Sequence, residues 1–303
     1  MILYADSGST KTDWALKTEN GKVLTWKSGG WNPYFLTTKQ MIDEGKDFIN
    51  KSYLENQNES HQDSAQDIAY YLEEHLYKVT EIQFYGAGCS TDENRQIVYA
   101  ALKTLFPQAE KMEVAHDLLG AARSVYNDSE NKKGIVLILG TGSNACLYNG
   151  KKITQELTNL GFWLGDEGSG GFLGKKLVTD FLYGLLPNEI HDLFYKEYKL
   201  TREIVLKKAY QEPKPNEFFA SFVPFLYKYR DDSFVRNLVT TAFDEFLDRI
   251  EKEFKDLNLN FYAVGSVAFF FEEILNERVT RRKGNLVRVV KSPIEGLVEL
   301  SNL

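Results

Sequence analysis

Only two cysteines, Cys89 and Cys146, occur in 303 residues, and they lie far apart. They cannot form a redox or zinc CxxC motif, nor a disulfide framework. Two small buried side chains in a reducing compartment is the simpler expectation. Long apolar runs are missing too. The longest purely aliphatic stretch, Ile135–Leu139, is far short of the roughly 20 residues that a membrane-spanning helix needs. The opening MILYADSGST lacks a positive flank and an extended apolar run, so it does not read as a secretory signal. Without secretion the sequons at Asn58 and Asn127 carry no meaning. Positive charge is scarce as well: 36 Lys and Arg against 43 Asp and Glu leave a net charge of −7. Sequence-independent nucleic-acid binding needs a basic surface, so nucleic acid is not an expected partner. Anion binding stays open, because it depends on local backbone amides and a metal. What remains is ordinary globular composition, 43% hydrophobic and 26% charged, which excludes disorder and fibrous repeats. The expectation is a cytoplasmic protein with no membrane partner.

The first thirty residues predict three strands, Ile2–Ala5, Thr12–Leu16 and Val23–Trp26, joined by the Ser7-Gly8-Ser9 turn and the Asn20-Gly21 pair. Apolar spacings of three and four predict helices over Leu36–Lys51 and Ser64–Tyr77. A strand at Ile82–Tyr85, a helix from Asp92 to Phe106 stopped by Pro107, a strand at Met112–Ala115 and a helix from Asp117 follow. Then the opening pattern returns. Ile135–Leu139, the turn Gly140-Thr141-Gly142-Ser143-Asn144, Ala145–Tyr148, Asn149-Gly150 and Ile153–Leu157 repeat its order, lengths and turn chemistry. Duplication explains this better than two unrelated meanders. Gly170–Leu257 reads as mostly helical, broken at Glu212-Pro213-Lys214-Pro215; a strand at Phe261–Val264, a strand at Leu286–Val290 and a helix at Ile294–Leu300 close the chain. The basic run Arg278, Arg281, Arg282 and Lys283 reads as a solvated loop.

Four segments concentrate chemistry: Asp6–Thr12, Gly140–Asn144, Gly165–Gly170 and Ala263–Ala268. Three follow a predicted strand and offer backbone N–H groups unencumbered by bulky side chains. Two such hairpins from duplicated domains suit the two sides of a polyphosphate. Singly each is weak, because Gly and Ser are default turn residues. Asp6, ending the first strand, can hold water on Mg²⁺ or make an Asx turn. Asp117 can act as a base at a cleft mouth or as a helix cap. Asp166 can bond sugar hydroxyls or cap the helix after it. Asn32 before Pro33 can start a turn or bind substrate, and Asn144 can cap its loop or reach substrate. Alternation along a strand turns His116 away from Asp117 and into the sheet. Phe162 and Trp163 read as core.

Taken together, these segments resemble the sugar kinase, Hsp70 and actin superfamily, and within it the N-acetylglucosamine kinase and BadF/BadG/BcrA/BcrD ATPase family, over nearly the whole chain. Asp6–Thr12 is similar to the first phosphate loop, Gly140–Asn144 to the second, and Gly265–Ala268 to the adenosine-binding turn. Gly165–Gly170 matches the family's GDEGSG segment, Asp117 stands at its catalytic aspartate, and Asn32 at its substrate asparagine. The family's Gly-Trp-Gly stretch departs here to Asn159-Leu160-Gly161, with Gly161 kept as a sugar contact. The resemblance implies an α/β fold of two duplicated actin-like (ribonuclease H-like) domains, residues 1–116 plus 291–303 and 117–290, with ATP and substrate in the cleft between them. It implies ATP and Mg²⁺ as cofactors. It implies Gly8, Ser9, Thr10, Lys11, Thr141, Gly142, Gly265 and Ser266 on the nucleotide, and Asn32, Asp117, Asn144, Gly161 and Asp166 on a small-molecule sugar. The expected reaction is phosphorylation of an amino-sugar hydroxyl, N-acetylglucosamine to its 6-phosphate. An ATPase activator of a 2-hydroxyacyl-CoA dehydratase and a non-catalytic sugar sensor are the competing readings. A homodimer is left open.

Overall fold

The computed structural model describes residues 1–8, 11–55, 78–127, 132–255 and 257–301, with the side chains of 48–55 excepted. The expected helix at 64–77 therefore lies outside the described residues. By contacts the chain divides into two compact units, Met1–Ser124 with Pro293–Leu303, and Val125–Ser292.

In the first unit, β1 (Ile2–Ser7), β2 (Lys11–Lys17) and β3 (Val23–Gly29) form an antiparallel meander. Its second turn closes on Gly21, whose φ of 83° suits a residue without a Cβ. Strands β4 (Glu81–Gly86) and β5 (Lys111–His116) then add in parallel to give the order β3-β2-β1-β4-β5. Period-two alternation sends Leu3, Ala5, Ile82 and Phe84 to one face and Tyr4 and Tyr85 to the other. The first face packs against the Thr38–Glu55 and Asp92–Leu105 helices, the latter capped by the Thr91 hydroxyl. The second face is covered by Ile294 and Leu297 of the Pro293–Leu300 helix and by Leu119 of the Asp117–Val125 helix. Gly120 lets that last helix approach, since a Cβ there would sit 2.5 Å from Tyr85. Arg123 fastens it further, donating to the Tyr85 hydroxyl at 2.7 Å and pairing with Glu113. These contacts explain why the unit boundary falls after Ser124 rather than after residue 116.

The second unit repeats the plan. Strands β6 (Gly134–Leu139), β7 (Ser143–Tyr148) and β8 (Ile153–Glu156) make the meander, and β9 (Asn260–Val264) and β10 (Asn285–Val290) add in parallel, giving β10-β9-β6-β7-β8. In both sheets the meander's first strand is central and its third strand is an edge, as duplication predicts. The core joins Ile135, Leu137 and Leu139 to the Ser233–Phe254 helix through Phe243, Phe246 and Ile250. The basic run is not a solvated loop. Arg278 and Arg282 are mostly buried and pair with Asp244 of the long helix, Arg278 at 2.8 Å and Arg282 at 2.7 Å. Trp163, expected in the core, is 51% exposed and stacks on Tyr210 at 5.8 Å, whereas Phe162 packs on the core as expected. No helix among the described residues is long and apolar enough to cross a membrane.

Candidate functional site

In the first unit the parallel strands bring chemistry to their carboxyl ends, where open α/β sheets place their ligands. Register pairs Asp6 with Tyr85 and Tyr85 with Ala115, so the ends of β1 and β5 lie level, two strand spacings or about 10 Å apart. Asp6 is the penultimate residue of β1 and Asp117 follows β5, and the two carboxylates share that edge. The base of the first loop is pinned by a buried hydroxyl pair. Ser7 Oγ lies 2.8 Å from Thr12 Oγ1, Thr12 donates to the Gly29 carbonyl at 2.9 Å, and the Trp31 amide donates to Ser7 Oγ at 3.0 Å. The Gly8 amide bonds the Lys11 carbonyl at 2.9 Å, leaving Gly8 and Lys11 exposed at the tip. Lys11 pairs with Asp13 at 2.9 Å. Ser9 and Thr10 lie outside the described residues. Asn32 is buried, 4% exposed, and its Oδ1 accepts the Tyr34 amide at 3.0 Å. It starts a turn, and Gly88 leaves it the room: a Cβ there would come 2.5 Å from that Oδ1.

His116 departs from the expected orientation. Its Nε2 lies 3.1 Å from Asp117 Oδ1, so the two side chains converge. Strand alternation fails at this point because β5 ends at His116 and the helix begins at Asp117.

Asp6 bears on a metal. Its carboxyl is pushed up to about 7, first by burial, then by the negative charges of Asp117 and Asp13, against the pull of Lys11. That spot is short of positive charge, and hard oxygen donors are what magnesium takes. Among the described residues no group of three or more His, Cys, Asp or Glu is disposed to hold an ion. One carboxylate completed by waters and substrate phosphates is an ordinary magnesium set, and Asp6 fits it.

In the second unit three Gly-rich segments meet. The Gly170 and Gly171 amides donate to the Gly140 and Thr141 carbonyls at 2.8 and 3.0 Å, docking the Gly170–Leu182 helix on the second loop. Gly265 takes φ +123°, and a Cβ there would lie 2.3 Å from the Leu139 carbonyl oxygen. Only glycine fits. Thr141 and Ser266 stand exposed beside these turns. Asp166 does not cap the helix after it; Ser169 does, its Oγ accepting the Phe172 amide at 3.1 Å. Asp166 instead takes a left-handed φ of 59° and is 8% exposed, its carboxylate tucked against Gly142. The Ser143 amide donates to Asp166 Oδ1 at 3.4 Å. Burial raises this carboxyl above its ordinary value, opposed by hydrogen bonds from Ser143 and Asn159 and by the charge of Lys175, with Glu167 pushing the same way as burial. Burial also lowers the Lys175 ammonium. Glu167 pairs with Arg249 of the long helix, whose guanidinium also donates to the Thr158 carbonyl at 2.6 Å. Asn144 Oδ1 accepts the Ala145 amide at 2.8 Å, and the Gly161 amide donates to Asn159 Oδ1 at 2.6 Å.

Sequence reasoning gave Asn159 no structural role. Its Nδ2 donates to the Ser143 carbonyl at 2.8 Å while the side chain also bonds Asp166, so it ties the β7 entrance to the GDEGSG segment. The substitution of Asn for the family's Gly was the available signal. Lys175, held at the Phe162 carbonyl at 3.0 Å, had none.

No protein-family model and no curated protein matches the chain. Solved structures do. One from Porphyromonas gingivalis, provisionally described as an N-acetylglucosamine kinase, is 34% identical over 99% of this chain and 98% of that one, with a TM-score of 0.83. One from Chromobacterium violaceum, with the same provisional description, is 18% identical over 99% and 98%, TM-score 0.64. A ROK-family glucokinase from Streptomyces griseus, solved with glucose and AMPPNP, is 14% identical over 99% and 98%, TM-score 0.54. The last two likenesses carry the fold alone: the duplicated actin-like α/β architecture of sugar kinases.

Proposed function

The chain belongs to the family of the Porphyromonas gingivalis protein, the N-acetylglucosamine kinase-like proteins of the actin fold, and from that premise we propose that it phosphorylates an amino sugar with ATP. The acceptor is N-acetylglucosamine and the product its 6-phosphate. The observation that carries this reading is Asp117, set at the carboxyl end of β5 on the edge it shares with Asp6. Phosphoryl transfer to an alcohol needs a positioned base and donors around the transferring group. As the sugar O–H bond breaks, its proton passes to Asp117. The oxygen's electron pair bonds the γ-phosphorus, and the bond from that phosphorus to the β,γ-bridging oxygen breaks, releasing ADP. Gly8, Ser9, Thr10 and Lys11 on one loop, and Thr141 and Gly142 on the other, offer donors to the phosphates. Gly265 and Ser266 take the adenosine side. Asp166, held by Ser143 and Asn159, accepts from sugar hydroxyls, and Asn32, Asn144 and Gly161 are further proposed sugar contacts. Asp6 would hold magnesium, which would supply charge neutralisation of the phosphates.

The activator reading needs exposed thiolates on an iron–sulfur cluster. Cys89 and Cys146 are fully buried, and burial pushes the Cys89 thiol up to about 12 and the Cys146 thiol up as well. The test is a coupled ADP-release assay on the full chain across hexoses and N-acylhexosamines. Asp117→Asn is expected to lower kcat by about 10²–10⁴-fold with nucleotide binding kept. More than a tenth of wild-type turnover in that variant would remove Asp117 as the base. Sugar binding without ADP release by the wild type would replace the kinase with a sensor.

A further inference from the structure

We propose that Arg249 is a positioning residue for the acceptor: it holds Asp166 in the backbone conformation that aims its carboxylate at the sugar. This assignment rests on the reading of Asp166 as a sugar contact and adds to it what keeps that residue in place.

Asp166 takes a left-handed φ of 59°. Such a φ is uncommon for a residue with a Cβ, although Asp tolerates it better than most. It persists where the surroundings over-determine it. The carboxylate itself is a weak anchor, since the Ser143 amide reaches Oδ1 only at 3.4 Å. Nor does capping hold the turn, because Ser169 caps the helix that follows.

Arg249 flanks both neighbours of Asp166. Its Nη1 pairs with the Glu167 carboxylate. A Cβ on Gly165 would sit 3.3 Å from the same Nη1, so the guanidinium fills the space beside that glycine. Its Nη2 donates to the Thr158 carbonyl at 2.6 Å. One planar fork therefore ties the start of the Thr158–Glu167 segment to its end, which the point charge of a lysine would not do. Glu253, one turn further along the same helix, completes the grip. Its carboxylate accepts the Thr158 amide and the Thr158 hydroxyl, each at 3.0 Å.

The support behind the fork is firm, and the segment it grips is not. The Ser233–Phe254 helix buries Phe246, Leu247, Ile250 and Phe254 on either side of Arg249 in sequence. Thr158, Asn159 and Leu160 are exposed, so apolar burial does not order them. The Arg249 and Glu167 side chains are 28% and 18% exposed, and pairs near the surface contribute little to global folding. Losing the guanidinium should therefore act locally: Gly165 and Glu167 are released, and Asp166 relaxes to an ordinary φ with its carboxylate turned away.

The test uses the full-length protein, titrated in a calorimeter with N-acetylglucosamine and with a non-hydrolysable ATP analogue, alongside steady-state kinetics. The variants are Arg249→Met, Asp166→Ala, their double mutant, and Arg278→Met as control. Arg278 pairs with Asp244 of the same long helix at 2.8 Å, so its loss burdens that helix without touching Thr158–Glu167. Arg249→Met should bind the sugar about tenfold more weakly, as when a competent conformation falls to about a tenth of the population. Its affinity for the nucleotide analogue, and its kcat at saturating sugar, should stay within about twofold of wild type. The double mutant should bind sugar no more weakly than Asp166→Ala alone, because residues that act as a unit are not additive. Arg278→Met should keep its sugar affinity even where its melting temperature falls.

Sugar affinity in Arg249→Met within twofold of wild type, beside a weakened Asp166→Ala, overturns the role of Arg249 and leaves Asp166 in the site. Equal losses in Arg249→Met and Arg278→Met, or a parallel loss of nucleotide affinity, mark general destabilisation and overturn it too. So do additive losses in the double mutant. Asp166→Ala with wild-type sugar affinity removes the reading beneath the assignment, and the assignment with it. A further readout needs no ligand: backbone carbon-13 shifts should report a left-handed Asp166 in the wild type and its loss in Arg249→Met. A right-handed Asp166 in the wild type, or shifts that the substitution leaves unaltered, would refute the proposal. Where Arg249→Met fails to fold, Glu167→Gln, which frees the same neighbour, takes its place in each comparison.

Discussion

Replacing Gly265 by alanine isolates what the turn after β9 demands. Its φ of +123° lies where only glycine sits without strain, and holding another residue there costs about 1–3 kcal/mol. The added Cβ would also meet the Leu139 carbonyl oxygen at 2.3 Å, its carbon at 2.5 Å and the Gly140 nitrogen at 3.0 Å. All three are backbone atoms of a central strand and its turn, so no side-chain rotation relieves the overlap. Overpacking of this kind adds about 1–3 kcal/mol, for a total of roughly 2–6 kcal/mol. Gly184 is the control within the same unit. Its φ is +68°, and a Cβ would find no heavy atom within 4 Å, so Gly184→Ala should cost only the left-handed penalty of about 1–2 kcal/mol. In a domain of this size each kcal/mol moves the melting temperature by about 2–4 °C. Scanning calorimetry should therefore show Gly265→Ala melting well below Gly184→Ala, itself slightly below wild type. Any backbone shift that relieves the clash displaces Gly140, so titration with a non-hydrolysable ATP analogue should also show weaker binding in Gly265→Ala alone. A Gly265→Ala protein that melts no lower than Gly184→Ala would refute the steric reasoning.

Asn159→Ala unlinks the Ser143 carbonyl from Asp166; steady-state kinetics should show sugar KM raised about tenfold with kcat less affected, the cost of one buried polar group losing its partner. A pocket that pairs with hydroxyl and amide groups should give N-acetylglucosamine a kcat/KM at least about tenfold above glucose, or about 1.4 kcal/mol, and equal values would show that no group here reads the acetamido substituent. Burial acts to raise the Asp244 carboxyl, but hydrogen bonds from Arg278 and Arg282 outweigh it and hold the carboxyl below its ordinary value. A depressed carboxylate contributes stability above its unfolded pKa of about 3.9 and loses it as pH falls through the folded value. Asp244→Asn should therefore lower the urea midpoint at pH 7, and the gap to wild type should close at the lowest pH where both fold. A gap of equal size at both pH values would show that the charge is not what stabilises.

What could be read from sequence, and what could not, divides along the range of the interactions. The two meanders were legible because alternation and Asn-Gly turns are properties of adjacent residues, and the repeat exposed their kinship. Gly265 and Gly140 stood out because a missing side chain is itself a local signal. The alternative expectation that Asp166 caps the next helix fails, since capping depends on which carbonyls and amides the turn brings into reach, and Ser169 holds the better position. The fate of Arg278 and Arg282 turned on Asp244, more than thirty residues away on another helix, and charge clustering along the chain carries no record of that partner. His116 shows the limit of periodicity most sharply. Alternation is a rule for the interior of a strand, and it lapses where the strand ends. There the backbone turns into a helix, and two neighbouring side chains that a strand would separate are brought together. Functional residues cluster at such junctions because the ends of parallel strands are where a sheet opens to a ligand. The junction where alternation lapses is thus also the edge on which the proposed base stands.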